Sequence, residues 1–466
     1  MQADSRKIIS ENIVADRSKL KIICVFLHRI YFGRIPYERQ YRGKKRKAMN
    51  ITELQQSYAS HPNVEGVCRL LKDNSVRHLY CGGLYASAAS LFSSVLVQRA
   101  TCPLVFILGD MEEAGYFYHD LTQILGTEQV LFFPSSFRRA IKYGQKDAAN
   151  EILRTEVLSR LQKGEEGLCV VTYPDALAEK VVSRKELGEN TLKLHAGERG
   201  DMDFVTDVLR SYGFEYVDYV YEPGQYAVRG SIIDVFSFSS EYPFRIDFFG
   251  DEVESIRTFE VETQLSKERK ESIVIVPDLS HSLEKRGSGG MVSFLDFLPS
   301  DSLLAMRDFL WLRERIQTVH DESLTPQAIA ARESEENGAI TLEGKLIDGG
   351  EFTLRALDFR RMEFGNKPTG TPDATVSFHT TVQPIFHKNF DMVAESFREY
   401  LSRHYTIYIC SDSLKQTDRI RAIFEDRGDN ISFTAVERTL HEGFADDTLR
   451  ICIFTDHQLF DRFHKY

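Results

Sequence analysis

Two short segments hold residues whose types and spacing could handle a nucleotide. The first is Tyr80-Cys-Gly-Gly-Leu-Tyr-Ala-Ser-Ala-Ala-Ser90, which follows an apolar strand-like run and opens a helical pattern. That is the place of a phosphate-binding loop, GxxxxGK(S/T), whose backbone amides and lysine hold the phosphates. In this register Gly83 is the first glycine, Ala88 replaces the second, Ala89 replaces the lysine and Ser90 keeps the hydroxyl. The second segment is Leu303-Leu-Ala-Met-Arg-Asp308, four apolar residues leading to a position where an aspartate would hold Mg²⁺. Arg307 stands there, with Asp308 after it, and a guanidinium repels a metal cation. The two elements together point to phosphoryl-transfer architecture retained without its charged chemistry. Taken alone, the first is also compatible with ordinary strand–helix packing.

Other chemistry is sparser. His320-Asp321-Glu322-Ser323 has the composition of a helicase motif fragment, but no apolar strand leads into it. His379 and His387 are eight residues apart with no third ligand near them. Arg138, Arg139, Lys142 and Lys146 form a small basic patch suited to DNA, a partner or a solvated turn. The seven cysteines are scattered without a CxxC pair, several in apolar runs such as Leu168–Val171. That usage fits reduced thiols in a cytoplasmic protein, with neither a disulfide framework nor a zinc site.

The elements that must position these residues divide the chain. Its 466 residues suggest about three domains. Residues 1–48 carry 13 Lys and Arg against 4 Asp and Glu and end in Arg42-Gly-Lys-Lys-Arg-Lys47. They are expected to form a loose basic tail without assigned function. The rest has 45 basic and 65 acidic residues, a net charge of −20, which argues against general DNA binding. No apolar run is long enough to span a membrane. From Arg77, strands at His78–Cys81, Leu104–Leu108, Val130–Phe133 and Leu168–Thr172 alternate with helices. One helix has Ala149, Ile152, Leu153, Val157 and Leu161 at helical spacing. This is the pattern of a parallel sheet covered on both faces.

Near residue 192 the pattern changes to a helix and then period-two runs at Tyr216–Tyr221, Gln225–Phe238, Pro243–Phe249 and Glu252–Glu260. The expected fold is α/β multidomain, a degenerate P-loop NTPase parallel sheet with an inserted, mostly antiparallel α+β domain and a further small α/β domain. The domains are expected at 49–191 and 278–384 for the two parts of the NTPase-like sheet, 192–277 for the insert and 385–466 for the third. Residues 324–375 are weakly patterned. In the insert, Tyr226, Val228, Ile232, Phe236 and Phe238 share one phase of the Gln225–Phe238 run, with Asp234 on that apolar side as a structural carboxylate. Arg229, Arg245 and Phe249 fall on the opposite phases of their strands and should face outward. Arginine beside an exposed aromatic is a mix enriched at protein interfaces. A solvated, salt-bridged face is the competing reading.

Glu222-Pro-Gly-Gln-Tyr-Ala-Val-Arg-Gly-Ser-Ile-Ile-Asp-Val-Phe236, Pro243-Phe-Arg-Ile-Asp-Phe-Phe249 and Ile256-Arg-Thr-Phe-Glu260 resemble, in order and spacing, a segment shared by the excision-repair helicase UvrB and the transcription-repair coupling factor (Mfd) family. The resemblance to the coupling factors covers about residues 50–466. The decayed phosphate loop favours that family, as does Pro134–Gln145, too short for the DNA-threading hairpin of the helicase. Gln383-Pro-Ile-Phe-His-Lys-Asn389 resembles the start of the family's third domain.

The resemblance implies that Arg229, Arg245 and Phe249 dock the damage-recognition ATPase UvrA, with Glu241, Asp247 and Glu252 as rim. It further implies that the RNA-polymerase-binding domain and the ATP- and Mg-dependent DNA translocase of the parent follow beyond Tyr466. This chain is thus expected to resemble an N-terminal fragment or an incomplete gene product, without cofactor or enzymatic activity of its own. A contact with the parent's C-terminal domain is implied as masking the docking face. Two other functions compete: a UvrB-like ATP-dependent DNA-binding or helicase subunit, which would bind nucleotide at Gly83–Ser90, and a small-molecule α/β enzyme, for which no nucleophile–base–acid set is visible.

Overall fold

The computed structural model describes residues 48–136, 148–277, 290–323 and 344–460. The basic tail and the patch Arg138, Arg139, Lys142 and Lys146 lie outside them, as does most of Pro134–Gln145.

The first domain is a seven-stranded sheet, every neighbouring pair parallel. In spatial order its strands are Ala374–Ser377, His78–Gly82, Arg360–Glu363, Leu303–Met306, Leu104–Ile107, Cys169–Thr172 and Val130–Phe133. Leu104–Ile107, Leu303–Met306 and Cys169–Thr172 are buried at every residue. Such strands read as continuous apolar runs because helices cover both faces. The sheet is larger than its sequence pattern implied. Arg360–Glu363, a central strand, and Ala374–Ser377, an edge strand, come from the weakly patterned stretch. Arg360 hides its charge by donating from Nη1 to Leu71 O at 2.6 Å, and the buried Glu363 lies 3.0 Å from His78 Nε2.

The helix Ala148–Lys163 also differs from its spacing. It buries Glu151, Arg154 and Thr155 together with Val157 and Leu161, while Ile152 and Leu153 are half-buried. Arg154 donates to Pro134 O at 2.8 Å, sits 4.2 Å over the Phe133 ring and lies 3.4 Å from the buried carboxylate of Glu179. Polar partners make this face compatible with burial.

The insert is a six-stranded sheet in the order Ser266–Lys270, Glu252–Phe259, Phe244–Phe249, Ile232–Val235, Gln225–Arg229, Glu215–Tyr216. The helix Met202–Ser211 contributes Val205 and Leu209 to the core on one sheet face. Leu192–His195 pairs antiparallel with Ser272–Ile275. The chain therefore leaves and re-enters the first domain at adjacent points.

The expected strand Gln225–Phe238 is two strands. Gly230, at φ +62°, turns the chain, and Arg229 pairs with Ile232. Crossing that turn reverses the phase. Tyr226 and Val228 share a core with Ile233 and Val235, while Ile232, Asp234 and Phe236 join the side of Ala227 and Arg229. Asp234 therefore does not share the face of Tyr226 and Val228. Tyr216–Tyr221 is likewise mostly loop, with only Glu215–Tyr216 paired as a strand.

The third sheet runs Met49–Asn50, Thr434–Glu437, Thr406–Ser411, Ile451–Thr455, Phe444–Asp446, Thr380–Val382. One edge strand thus comes from the start of the described chain and the other from the segment just before the helix Phe390–Ser402. Buried Asp446 accepts from Tyr58 Oη at 3.1 Å and lies 3.4 Å from His61 Nε2, tying the first helices to this sheet. Among the described residues no helix is long and apolar enough to cross a membrane, and no group of three or more His, Cys, Asp or Glu could hold a metal ion.

Candidate functional site

The second face of the inserted sheet carries alternating charges on neighbouring strands. Asp234 is fully buried, and its carboxylate accepts a forked pair from Arg245, Nε to Oδ1 at 2.7 Å and Nη2 to Oδ2 at 2.9 Å. Arg229 Nη2 bonds the same Oδ2. One buried carboxylate thus orients two guanidiniums, and forked pairing fixes their planes as well as their charge. Arg245 also lies 4.5 Å over the Phe259 ring and donates to Gln264 O at 3.1 Å. Its side chain is 15% exposed against 36% for Arg229, so Arg245 is more deeply held than an outward phase alone suggests. The hydrogen bond to Asp234 raises the Arg245 pKa further above its ordinary value.

Phe249 is 79% exposed at the end of its strand. Gly250 follows at φ +61°, a turn conformation that favours glycine and brings Glu252 opposite Phe249. Of the expected rim, Asp247 pairs with Arg257, and Glu252 is exposed.

Two further members of this face were not foreseen. Arg257 lies directly across from Arg245, and each guanidinium is drawn to its own aspartate, which relieves the like-charge pairing. Tyr219, half exposed, lies under Arg229 with 5.1 Å from guanidinium carbon to ring centroid. Arg257 had a signal, its place in a period-two strand opposite Arg245. Tyr219 had none, because it sits in irregular chain.

The segment whose spacing suggested a phosphate loop runs from the end of His78–Gly82 to the helix Ala88–Arg99. Gly83 has φ +78°, and a Cβ there would lie 2.1 Å from Phe378 O. Ala88, Ala89 and Ser90 are all buried. Ser90 Oγ donates to Asp120 Oδ2 at 2.9 Å instead of facing an open cradle. Arg307 lies 2.7 Å from Glu113 Oε1, whose Oε2 accepts from Gly109 N, also at 2.7 Å. Asp308 Oδ1 accepts from Trp311 N at 3.0 Å, the bond of a helix cap. The side chains at the positions that the spacing assigned to phosphate and metal thus make internal contacts. The structure brings Gly83–Ser90 and Arg307 to the same carboxyl edge of the parallel sheet, with the strand Arg360–Glu363 between them. Neither segment contacts the Arg229–Arg245 face through any described bond.

Asp120 and His441 give this region a pH signature. Burial pushes the Asp120 carboxyl up to about 6, and burial pushes the His441 imidazole down to about 4. Between about pH 4 and 6 folded Asp120 keeps a proton that the unfolded chain releases, so its contribution to stability falls as pH rises. Folded His441 lacks a proton that the unfolded chain takes up below its ordinary 6.5, so its contribution rises with pH. The two slopes oppose. Asp120→Asn should remove the first, so that variant stability relative to the parent climbs from pH 4 to 6. Urea midpoints at three pH values check this, and parallel curves would contradict the assignment.

Residues 192–281 match the UvrB interaction domain family. Among curated proteins, the transcription-repair-coupling factor of Bacillus subtilis (strain 168) is 21% identical over 456 residues, covering 81% of this chain and 38% of the relative. That of Escherichia coli (strain K12) is 30% identical over 198 residues, covering 42% of this chain and 17% of the relative. The chain matches less than two-fifths of the length of either. The inserted sheet thus matches the UvrB interaction domain, and the chain around it is similar over most of its length to transcription-repair-coupling factors.

Proposed function

We propose that this chain is an interaction module that recruits UvrA to stalled transcription complexes in transcription-coupled excision repair. Residues 192–277 supply the contact, with Phe249 inserting into an apolar pocket of the partner and Arg229 and Arg245 bonding its acidic or carbonyl oxygens. The observation that carries this reading is the 79% exposed Phe249 on a face whose arginines are already oriented by buried Asp234. Preorganised anchors lose less side-chain freedom on binding.

On this reading, RNA-polymerase binding and ATP-driven translocation on DNA would belong to parts of the longer relatives that this chain does not match, and their C-terminal domain would cover the docking face at rest. Cytoplasmic residence is supported by the six free cysteines among the described residues. The degenerate loop at Gly83–Ser90 and Arg307 in place of a metal-binding aspartate argue against catalysis here and against the UvrB-like helicase alternative.

The test is capture of purified UvrA by the immobilised full chain, beside titration with a fluorescent ATP analogue. Saturable UvrA binding without a saturable nucleotide signal is expected. Failure to retain UvrA at micromolar concentrations would overturn the docking role, and saturable nucleotide binding would restore the enzymatic one.

A further inference from the structure

A working phosphate cradle depends on backbone amides that are free to meet an anion. Here four of those amides already have acceptors. Tyr85 N donates to Thr380 Oγ1 at 3.0 Å, and Ser87 N to Glu442 O at 3.2 Å. Ala88 N donates to Tyr85 O at 3.1 Å and Ala89 N to Ala86 O at 3.3 Å. Two of the acceptors come from the third sheet and its connections, about 300 residues away in sequence or more.

The contact is reciprocal. Glu442 N donates to Ser87 Oγ at 3.0 Å, and His441 N donates to Asp120 Oδ1 at 2.6 Å. Asp120 Oδ2 accepts from Ser90, the residue at the metal-binding hydroxyl position of the old motif. The His441 ring stacks on Tyr116 with centroids 3.6 Å apart and planes 10° from parallel. Thr380 Oγ1, besides accepting from Tyr85, donates to Gly83 O at 2.7 Å. The turn itself has little room to shift, since a Cβ on Gly443 would lie 2.4 Å from Ile453 O.

We infer that the turn His441–Gly443 is the resident occupant of the former phosphate cradle, closing it to nucleotide and fastening the third sheet to the first. The backbone carbonyl of Glu442 takes the place of a phosphate oxygen at Ser87 N, and Asp120 takes the place of a bound metal at Ser90. No lysine is needed, because a carbonyl brings no net charge to neutralise. This assignment gives the third domain a mechanical role and stands independently of UvrA docking.

Hydrogen exchange on the full chain tests it, with Tyr116→Ala and Asp120→Leu as variants and magnesium pyrophosphate as the probe. Tyr116→Ala removes the stack on His441 together with the exposed hydrogen bond from Tyr116 Oη to Glu112 Oε1 at 2.9 Å. It should speed exchange in peptides covering 83–90 and 439–443 together, by about threefold to tenfold, with 104–107 unchanged. Asp120→Leu should act in the same sense by roughly tenfold or more. If Asp120→Leu fails to fold, Tyr116→Ala decides. The parent should show no saturable pyrophosphate binding. Faster exchange confined to 439–443, or saturable pyrophosphate binding by the parent, would overturn the inference.

Discussion

Phe249→Ala weakens UvrA capture by about thirtyfold or more and leaves the urea midpoint of the chain unchanged. The expectation follows from where the ring sits. At 79% exposure the side chain contributes little to the insert's core, which is built on the opposite face from Ile246, Phe248, Ile256 and their neighbours. Truncation therefore removes little folded-state burial. In the complex the same ring would be desolvated, and an anchor of that kind costs about 2 kcal/mol or more on truncation, the factor of about thirty. Phe249→Leu should recover part of the loss, since an apolar side chain still fills the pocket. Capture equal to the parent in both variants would remove Phe249 from the interface. The measurement is an equilibrium titration with purified UvrA, paired with urea unfolding.

Arg245→Ala behaves differently, losing both capture and stability. Its removal leaves fully buried Asp234 with Arg229 as its described charged partner. Breaking a buried pair by deleting one member costs about 3–5 kcal/mol, and the remaining arginine should bring the loss toward about 3 kcal/mol. The urea midpoint should fall accordingly. Asp234→Ala in the same chain should restore part of the stability, because the uncompensated charge is gone, while capture stays lost. A double-mutant cycle reads the coupling between the two sites. An Arg245→Ala chain as stable as the parent would show that Asp234 does not depend on it. Because the arginine would serve both fold and docking, Phe249 is the cleaner probe of the proposed interface.

The two anchors also show how far the residues could be read without coordinates. The phase of Pro243–Phe249 was legible, since Phe244, Ile246 and Phe248 occupy one face of a single uninterrupted strand. The phase of Gln225–Phe238 was not, because a tight turn at Gly230 pairs residue 229 with 232 and so exchanges the faces beyond it. Asp234 therefore moved from the side of Tyr226 to the side of Arg229, which is what lets it reach both arginines. The strand Arg360–Glu363 was hidden for another reason. Its arginines carry their charge to its ends and margins, so a central strand reads as polar.

Sequence alone determined the kind of architecture, because buried parallel strands and period-two runs impose different residue patterns. It also supplied the reading of Gly83–Ser90 as a phosphate loop lacking its charges at Ala89 and Arg307, since that reading rests on residue type and short spacing. Only the tertiary structure decided which side of the insert Asp234 occupies and which residues meet the amides of the turn at Tyr85–Ala89. Both depend on contacts that local periodicity does not encode: a pairing register across a turn, and hydrogen bonds such as Ser87–Glu442 between segments 355 residues apart.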